Sequence, residues 1–578
     1  MPSEPIEAAL FTVPPALSHE QEERLRTLDR EGPLVLTTTS SNDLSTTPTA
    51  HHPLERVSTR GTQNFSHPDE KKDVQVTVNQ LSDIHEREGF KIVKFEPGTG
   101  EDPREWSKGK KWFVTVSSSL LCLAVALGSS IITGDMGGPT REFGNTQVIT
   151  NLTVTCFVIG FGVGPLFLAP LSEIFGRTPI YSLSMFLFFI FTLPSALAKN
   201  IATLVVSRQI AGLAASAPVC NVGGSIADVW DVKDRGAPMA LFSGTLFIGP
   251  CLGPMIGGWI GERAGWRWIY WVLFALVGAS WLLTLFMPES LAPVILRRKA
   301  ERLRKETGDD TYQTLEELER LPFKEVLKIA LIRPFIMLFT EPIVIFMSIY
   351  LSFVYSLLYL MFFAFPIAFT EIRGWGEGIT GVAFVSIMVS VVSSLPVSPL
   401  IPLKIGIFLA GLFIPLNEKT YREATKYGSF PEARLYPMMW GAFLMPAALF
   451  MFAFTGAYEH VHWIGVCISG TCFGFAMILL YVSANSYIVD SYSNFAATAM
   501  AAKTFLRSEI GAMIPLFSTP MFHNMGFQYA GLLLALVAVA ISPMPFVFYF
   551  YGEKIRARSK RATQDVRKRE PSSFVSEK

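Results

Sequence analysis

Apolar stretches of about 20 residues, the length a helix needs to cross a ~30 Å hydrocarbon core, recur from Trp112 onward. They fall near 112–134, 147–171, 179–198, 202–225, 237–260, 266–287, 335–366, 379–413, 437–457, 462–484, 495–519 and 527–551. These are twelve predicted spans, numbered here in chain order, with short gaps except for 288–334. An even count places both termini on one side of a membrane. Residues 1–111 carry the Ser/Thr/Pro-rich run LTTTSSNDLSTTPTAHHP and no sustained apolar period, so they read as a disordered tail. No apolar stretch follows Met1 within the first 30 residues, and no signal peptide is expected.

Composition sharpens this pattern. Only 17% of the 578 residues are charged, where soluble domains sit near about a quarter, and mean hydropathy is +0.36. That excludes a secreted disulfide scaffold, a wholly disordered chain and a nucleic-acid binder driven by bulk positive charge. The six cysteines (Cys122, Cys156, Cys220, Cys251, Cys467, Cys472) all fall in apolar stretches without metal-ligand spacing, and they read as small buried hydrophobes. His460 and His462 make a bare HxH beside a span, too little for a metal site. No cofactor, metal or catalytic residue is expected, and the chain does not read as an enzyme.

The formal net charge of +1 becomes informative once the charges are placed. RRKAERLRK lies in 288–334, Lys419, Arg422, Lys426 and Arg434 lie in 414–436, and KIRARSKR lies in the final tail, 552–578. The alternate gaps hold scattered positives such as Lys199 and Arg373. By the positive-inside rule the tails and the middle loop are cytoplasmic. The basic tail also suits contact with anionic lipid, although setting topology is the simpler reading. PLSE (170–173) after span 2 and PLNE (415–418) after span 8 stand in matching positions, which points to two six-helix halves, 112–287 and 335–551.

The segment GVGPLFLAPLSEIFGRTP (162–179) closes span 2 and opens span 3, setting Glu173 and Arg177 four residues apart around Gly176. It resembles the signature loop of the major facilitator superfamily. The form is that of fungal drug:proton antiporters with twelve spans, which have Glu where the wider superfamily has Asp. The resemblance extends over most of 101–551. SRQIAGLAASAPVCNVGG in span 4 is similar to the family's RxxxG segment, with Arg208 as its charged member. GPCLGPMIGGWIG (249–261) in span 5 is similar to the antiporter motif, and MPES, EPIV, YPMM and TFLRS follow in the family's order. The resemblance implies an all-α membrane protein with the major facilitator fold, and a role for Arg208 in proton coupling.

Physical chemistry gives the same residues weight independently. Burying Arg208 in a span costs about 2.5–3.5 kcal/mol on insertion scales, so it should face a polar cavity and a partner, or snorkel to an interface. Gly249, Pro250, Gly253, Pro254, Gly257 and Gly258 leave one helix face almost bare, which suits either a flexible contact between halves or ordinary tight packing. Glu341 is the sole acid in the first turns of span 7 and is the leading candidate proton carrier; Asp135, at the outer mouth of span 1, is a weaker one. Asp228, after span 4, is placed to pair with Arg177 in a cytoplasmic latch. Tyr350, Phe353, Tyr355, Tyr359, Phe362, Phe363 and Phe365 of span 7 suggest an apolar cavity wall, with part of the set facing lipid.

The expected activity is proton-driven export of drugs, toxins or a hydrophobic metabolite across the plasma membrane by a monomer. Its partners are then a small hydrophobic substrate, protons and membrane lipid, with no nucleic acid. The absence of a GxxxxGKS loop argues against ATP as the driving force. A specific solute such as a polyamine, or a sensor that moves nothing, are the alternatives. Span 8 is anomalous: 379–415 runs apolar for 37 residues, roughly 55 Å of helix, and contains SSLPVSPLIPLK. Residues 393–404 read as an insertion or as a retained intron in the gene. Sequencing the mature transcript decides between them: an in-frame message encoding SSLPVSPLIPLK removes the intron reading.

Overall fold

The computed structural model describes residues 89–231, 234–319, 322–394, 431–492, 495–559 and 561–562. Among them ten helices are long and apolar enough to cross a membrane, and Glu377–Ser390 is a shorter apolar segment. Spans 1 to 6 correspond to α1 (Lys108–Ser130), α3 (Gln147–Phe175), α4 (Arg177–Ala196), α5 (Ile201–Val229), α6 (Gly236–Ala264) and α7 (Trp266–Leu285), with the short α2 (Gly137–Phe143) after α1. The middle segment forms α8 (Ala292–Thr307) and α9 (Phe323–Thr340). Then come α10 (Pro342–Pro366), α11 (Glu377–Val382), α12 (Val385–Ser394), α13 (Tyr436–Gly456), α14 (Ile464–Ser491), α15 (Ala496–Met525), α16 (Phe527–Ile541) and α17 (Met544–Arg558). Helices dominate because lipid offers the backbone no hydrogen bonds, so each span must satisfy its own.

Three boundaries differ from the sequence reading. Span 7 starts at Pro342, because Glu341 before a proline takes an extended conformation (φ −102°, ψ 107°) and separates α10 from α9. Span 12 divides at Ser542–Pro543 into α16 and α17. Within the tail expected over 1–111, the described residues 89–111 are folded. There β1 (Lys91–Ile92) pairs in parallel with β2 (Tyr312–Gln313) of the middle segment. Lys91 Nζ meets Asp309 at 2.8 Å and Lys299 Nζ meets Glu101 at 2.6 Å, tying the approach to α1 onto α8 and β2. Hydrogen bonds from Lys91 and Thr311 hold the Asp309 carboxyl well below its usual range, so on the acid side this clasp opens as pH falls through that depressed value. Residues 395–404 of the suspected insertion, and PLNE, lie outside the described residues.

Tight joints repeat along the chain. Gly265 (φ +84°) alone separates α6 from α7, and Gly526 (φ +82°) alone separates α15 from α16. Each is followed by a buried aromatic residue, Trp266 or Phe527. These joints stand at matching places, spans 5–6 and 11–12. Bare glycine faces let the helices approach closely. A Cβ on Gly160 of α3 would lie 2.5 Å from the Gln209 carbonyl and 2.6 Å from the Leu213 nitrogen, both backbone atoms of α5. Neither can yield without moving the helix. Gly160→Leu is therefore expected to destabilise the fold by about 1–3 kcal/mol, read as a lower Tm in detergent. An unchanged Tm would refute this packing.

Candidate functional site

Charged residues gather at the end of the bundle where α1 begins and α17 finishes, called here the tail end. Gly176 (φ +105°) turns α3 into α4 and leaves no room for a side chain, because the Glu289 carboxylate lies against it. Glu289 accepts from Arg177 N at 2.9 Å and from Thr178 N at 3.2 Å, closing the otherwise open N-terminus of α4. The buried Arg177 side chain turns inward, Nε to Asp228 Oδ2 at 3.4 Å and Nη1 to Ser172 Oγ at 2.8 Å. Ser172 in turn donates to Asn221 Oδ1 at 2.9 Å. Glu173 lies exposed on the same turn, so the ion partner of Arg177 is Asp228 and not the acid four residues before it.

A second set of charges holds the same end of the later helices. Arg434 Nε meets Asp490 Oδ2 at 3.0 Å, joining the start of span 9 to the end of span 10, as Arg177–Asp228 joins spans 3 and 4. Arg556 grips Glu432 through two bonds of 2.8 and 2.9 Å, both side chains buried. Glu341 belongs here too. It accepts from Tyr492 Oη at 3.1 Å and from the Ser559 hydroxyl, at the meeting of α10, α14 and the end of α17. The structure thus places Glu341 at a helix terminus, apart from Arg208.

Arg208, 1% exposed, sits inside the bundle. Nη2 donates to the Gly128 carbonyl at 2.9 Å, Nε to the Thr153 carbonyl at 3.4 Å, and the guanidinium lies 4.0 Å from the Phe157 ring centre. Its partners are backbone carbonyls of α1 and α3 and an aromatic face. The bare face of α6 divides its work. Gly249 faces Ala126 and Leu127 of α1, and Gly253 and Gly257 continue that contact along Ser130 and Ile131. Gly258 turns to α11, where a Cβ would lie 2.5 Å from the Glu377 carbonyl, and the backbone of Pro254 abuts Gly381. The motif therefore packs closely on two faces of one helix, against α1 and against α11.

The far end is held by other contacts. Glu262 Oε2 accepts from Gly378 N at 2.7 Å, linking α6 to α11. Asn151 Nδ2 donates to the Pro515 carbonyl at 2.7 Å, linking α3 to α15. Asp135 is buried and accepts from Gly138 N at 2.7 Å, in the first turn of α2, beside a small cleft lined by Thr153, Trp266 and Tyr270.

The sequence pattern of the Major Facilitator Superfamily matches residues 118–515. The chain belongs to that superfamily. It is 41% identical to the MFS-type transporter paaT of Penicillium rubens, covering 89% of this chain and 96% of that one. It is 39% identical to the multidrug transporter mdrA of Aspergillus fumigatus, over 83% and 77% of the two chains. The proton:xylose symporter XylE, at 16% identity and a TM-score of 0.53, covers 78% of this chain and shares its fold. The protein is therefore a multi-pass membrane transporter.

Within this superfamily member, several functional candidates escaped sequence reasoning. Glu289 stood in the MPES match but had no role until Gly176 was seen against it. Lys503 and Arg507 are buried in α15, which is not among the ten apolar spans and also carries Glu509. Their four-residue spacing in an apolar segment was the available signal. Asp228→Asn is expected to leave Arg177 buried without an ionic partner, costing about 3–5 kcal/mol of stability. Glu173→Gln should stay within about 0.5 kcal/mol. Equal losses in thermal unfolding would contradict this ordering.

Proposed function

We propose that this transporter exports small hydrophobic compounds across the plasma membrane in exchange for protons. In this reading 112–287 and 335–551 are two six-helix halves that rock about a central site, with both termini cytoplasmic. The tail end is then the cytoplasmic gate, built around Glu289, Gly176, Arg177 and Asp228 in one half and Arg434, Asp490, Glu432 and Arg556 in the other. Each of these contacts joins helices of a single half, so they hold the gate-forming helix ends in place while each half rocks as a body. The aromatic residues of span 7 support an apolar substrate: Tyr350, Tyr359, Phe362, Phe363 and Phe365 are all buried in the bundle, and none of the five faces lipid. The efflux and multidrug names of the relatives favour export over uptake.

Glu509 is the observation that carries the proton reading. It lies within α15, packs against Gly162 of α3, and its Oε1 is buried without a hydrogen-bond partner. An acid placed so in a membrane serves as a proton site, since the neutral form avoids the cost of a bare charge. Arg208 and Asp135 are then positioning groups, and Glu341 a gate anchor. A proton entering down the membrane potential contributes about 2.3 kcal/mol per 100 mV. The test is transport of a fluorescent hydrophobic dye into inside-out vesicles under an imposed pH gradient. Glu509→Gln should abolish gradient-driven accumulation and keep exchange at equal pH, while Glu341→Gln keeps coupling at a reduced rate. Coupling that survives Glu509→Gln would overturn the assignment.

A further inference from the structure

Lys503 and Arg507 stand one turn apart on α15, 0% and 5% exposed. Lys503 Nζ donates to Asn485 Oδ1 at 2.9 Å, and Arg507 Nη1 donates to Tyr481 Oη at 2.8 Å, both on α14. The Arg507 guanidinium also lies 4.2 Å from the Tyr355 ring centre of α10. Its Nε is buried with no hydrogen-bond partner. Among the described residues no carboxylate forms an ion pair with either cation. Two like charges at this spacing repel, and each has given up its hydration shell. Neutral dipoles and ring faces offset only part of that cost. Glu509, two residues on, does not close the circuit, because its Oε1 lies against Gly162 of α3.

We infer that Lys503 and Arg507 form the anion-binding half of the substrate site, and that the transported compounds include small organic acids with a carboxylate head and an aromatic or apolar body. This rests on the transporter reading above and narrows it. A guanidinium edge with a free Nε–H is the group that binds a carboxylate through paired, charge-assisted bonds. The adjoining surface fits the body. Tyr355 and Tyr359 have ring centres 5.1 Å apart, and Phe362 follows at 5.4 Å from Tyr359, making an aromatic wall that starts at Arg507. Phe247 of α6 closes the site from the other side, edge-on to Tyr481 with 5.1 Å between ring centres. That contact joins spans 5 and 10, so rocking of the halves would open it and admit the anion.

The test is calorimetric titration of the full-length chain in detergent at neutral pH with 2-naphthoate and with its uncharged counterpart 2-naphthamide. The wild type should bind the carboxylate at least about tenfold more tightly than the amide, the difference one charge-assisted hydrogen bond makes. R507Q should bring the two within about twofold while amide binding persists, which also reports that the variant is folded; R507K should retain part of the preference. K503Q should lower carboxylate affinity alone. Equal affinities in the wild type, binding of neither compound, or a preference that survives both R507Q and K503Q would overturn the inference. Binding is measured without a gradient, and dye uptake into inside-out vesicles under a gradient tests transport, so either reading can fail alone.

Discussion

Hydrocarbon cannot solvate a charge, and that single constraint organises the molecule. Every buried ion must find its counter-charge, its dipoles or its proton inside the protein. Three solutions appear, and they are spatially sorted. At the tail end, cations meet carboxylates directly: Arg177 with Asp228, Arg556 with Glu432. In the interior, Arg208 rests on the Gly128 and Thr153 carbonyls and a ring face. On α15, Lys503 and Arg507 meet only an amide, a phenol and aromatic faces. Full pairing makes a structural clamp, whereas incomplete pairing leaves capacity for a ligand or a proton.

The helices can place these groups because they come close. Glycine faces bring α3 onto α5 and α6 onto α1, so that carbonyls of α1 and α3 reach the guanidinium of α5. The same α6 uses its other face against α11 at the far end. One helix thus belongs to a tight bundle and borders a second bundle. Motion between the bundles can then break few bonds: the Glu262–Gly378 and Asn151–Pro515 contacts at the far end, and the Phe247–Tyr481 contact nearer the centre.

Much of this was legible in the sequence where the signal was local. Apolar length marked the spans, and Gly176 with Arg177 marked the turn that the structure realises. The readings that changed depended on partners distant in sequence. Glu341 looked like an intramembrane acid because its neighbours are apolar, but Pro342 fixes it at a helix start, and Tyr492 and Ser559 arrive from spans 10 and 12. Arg177 has one acid four residues before it, Glu173, and one distant in sequence, Asp228, and the inward turn of its side chain makes the ion pair with Asp228. Lys503 and Arg507 lie within the predicted span 495–519, but what surrounds them depends on Asn485 and Tyr481, which arrive from α14.

The central claim is that the two halves rock, so that the tail end and the far end open in alternation. Double electron–electron resonance on a cysteine-free background measures this directly, with spin-label pairs at exposed positions 231 and 554 on the tail end and 199 and 459 on the far end. Substrate and a change of pH should move the two distances in opposite senses. Distances that stay fixed, or that lengthen together, would contradict the account.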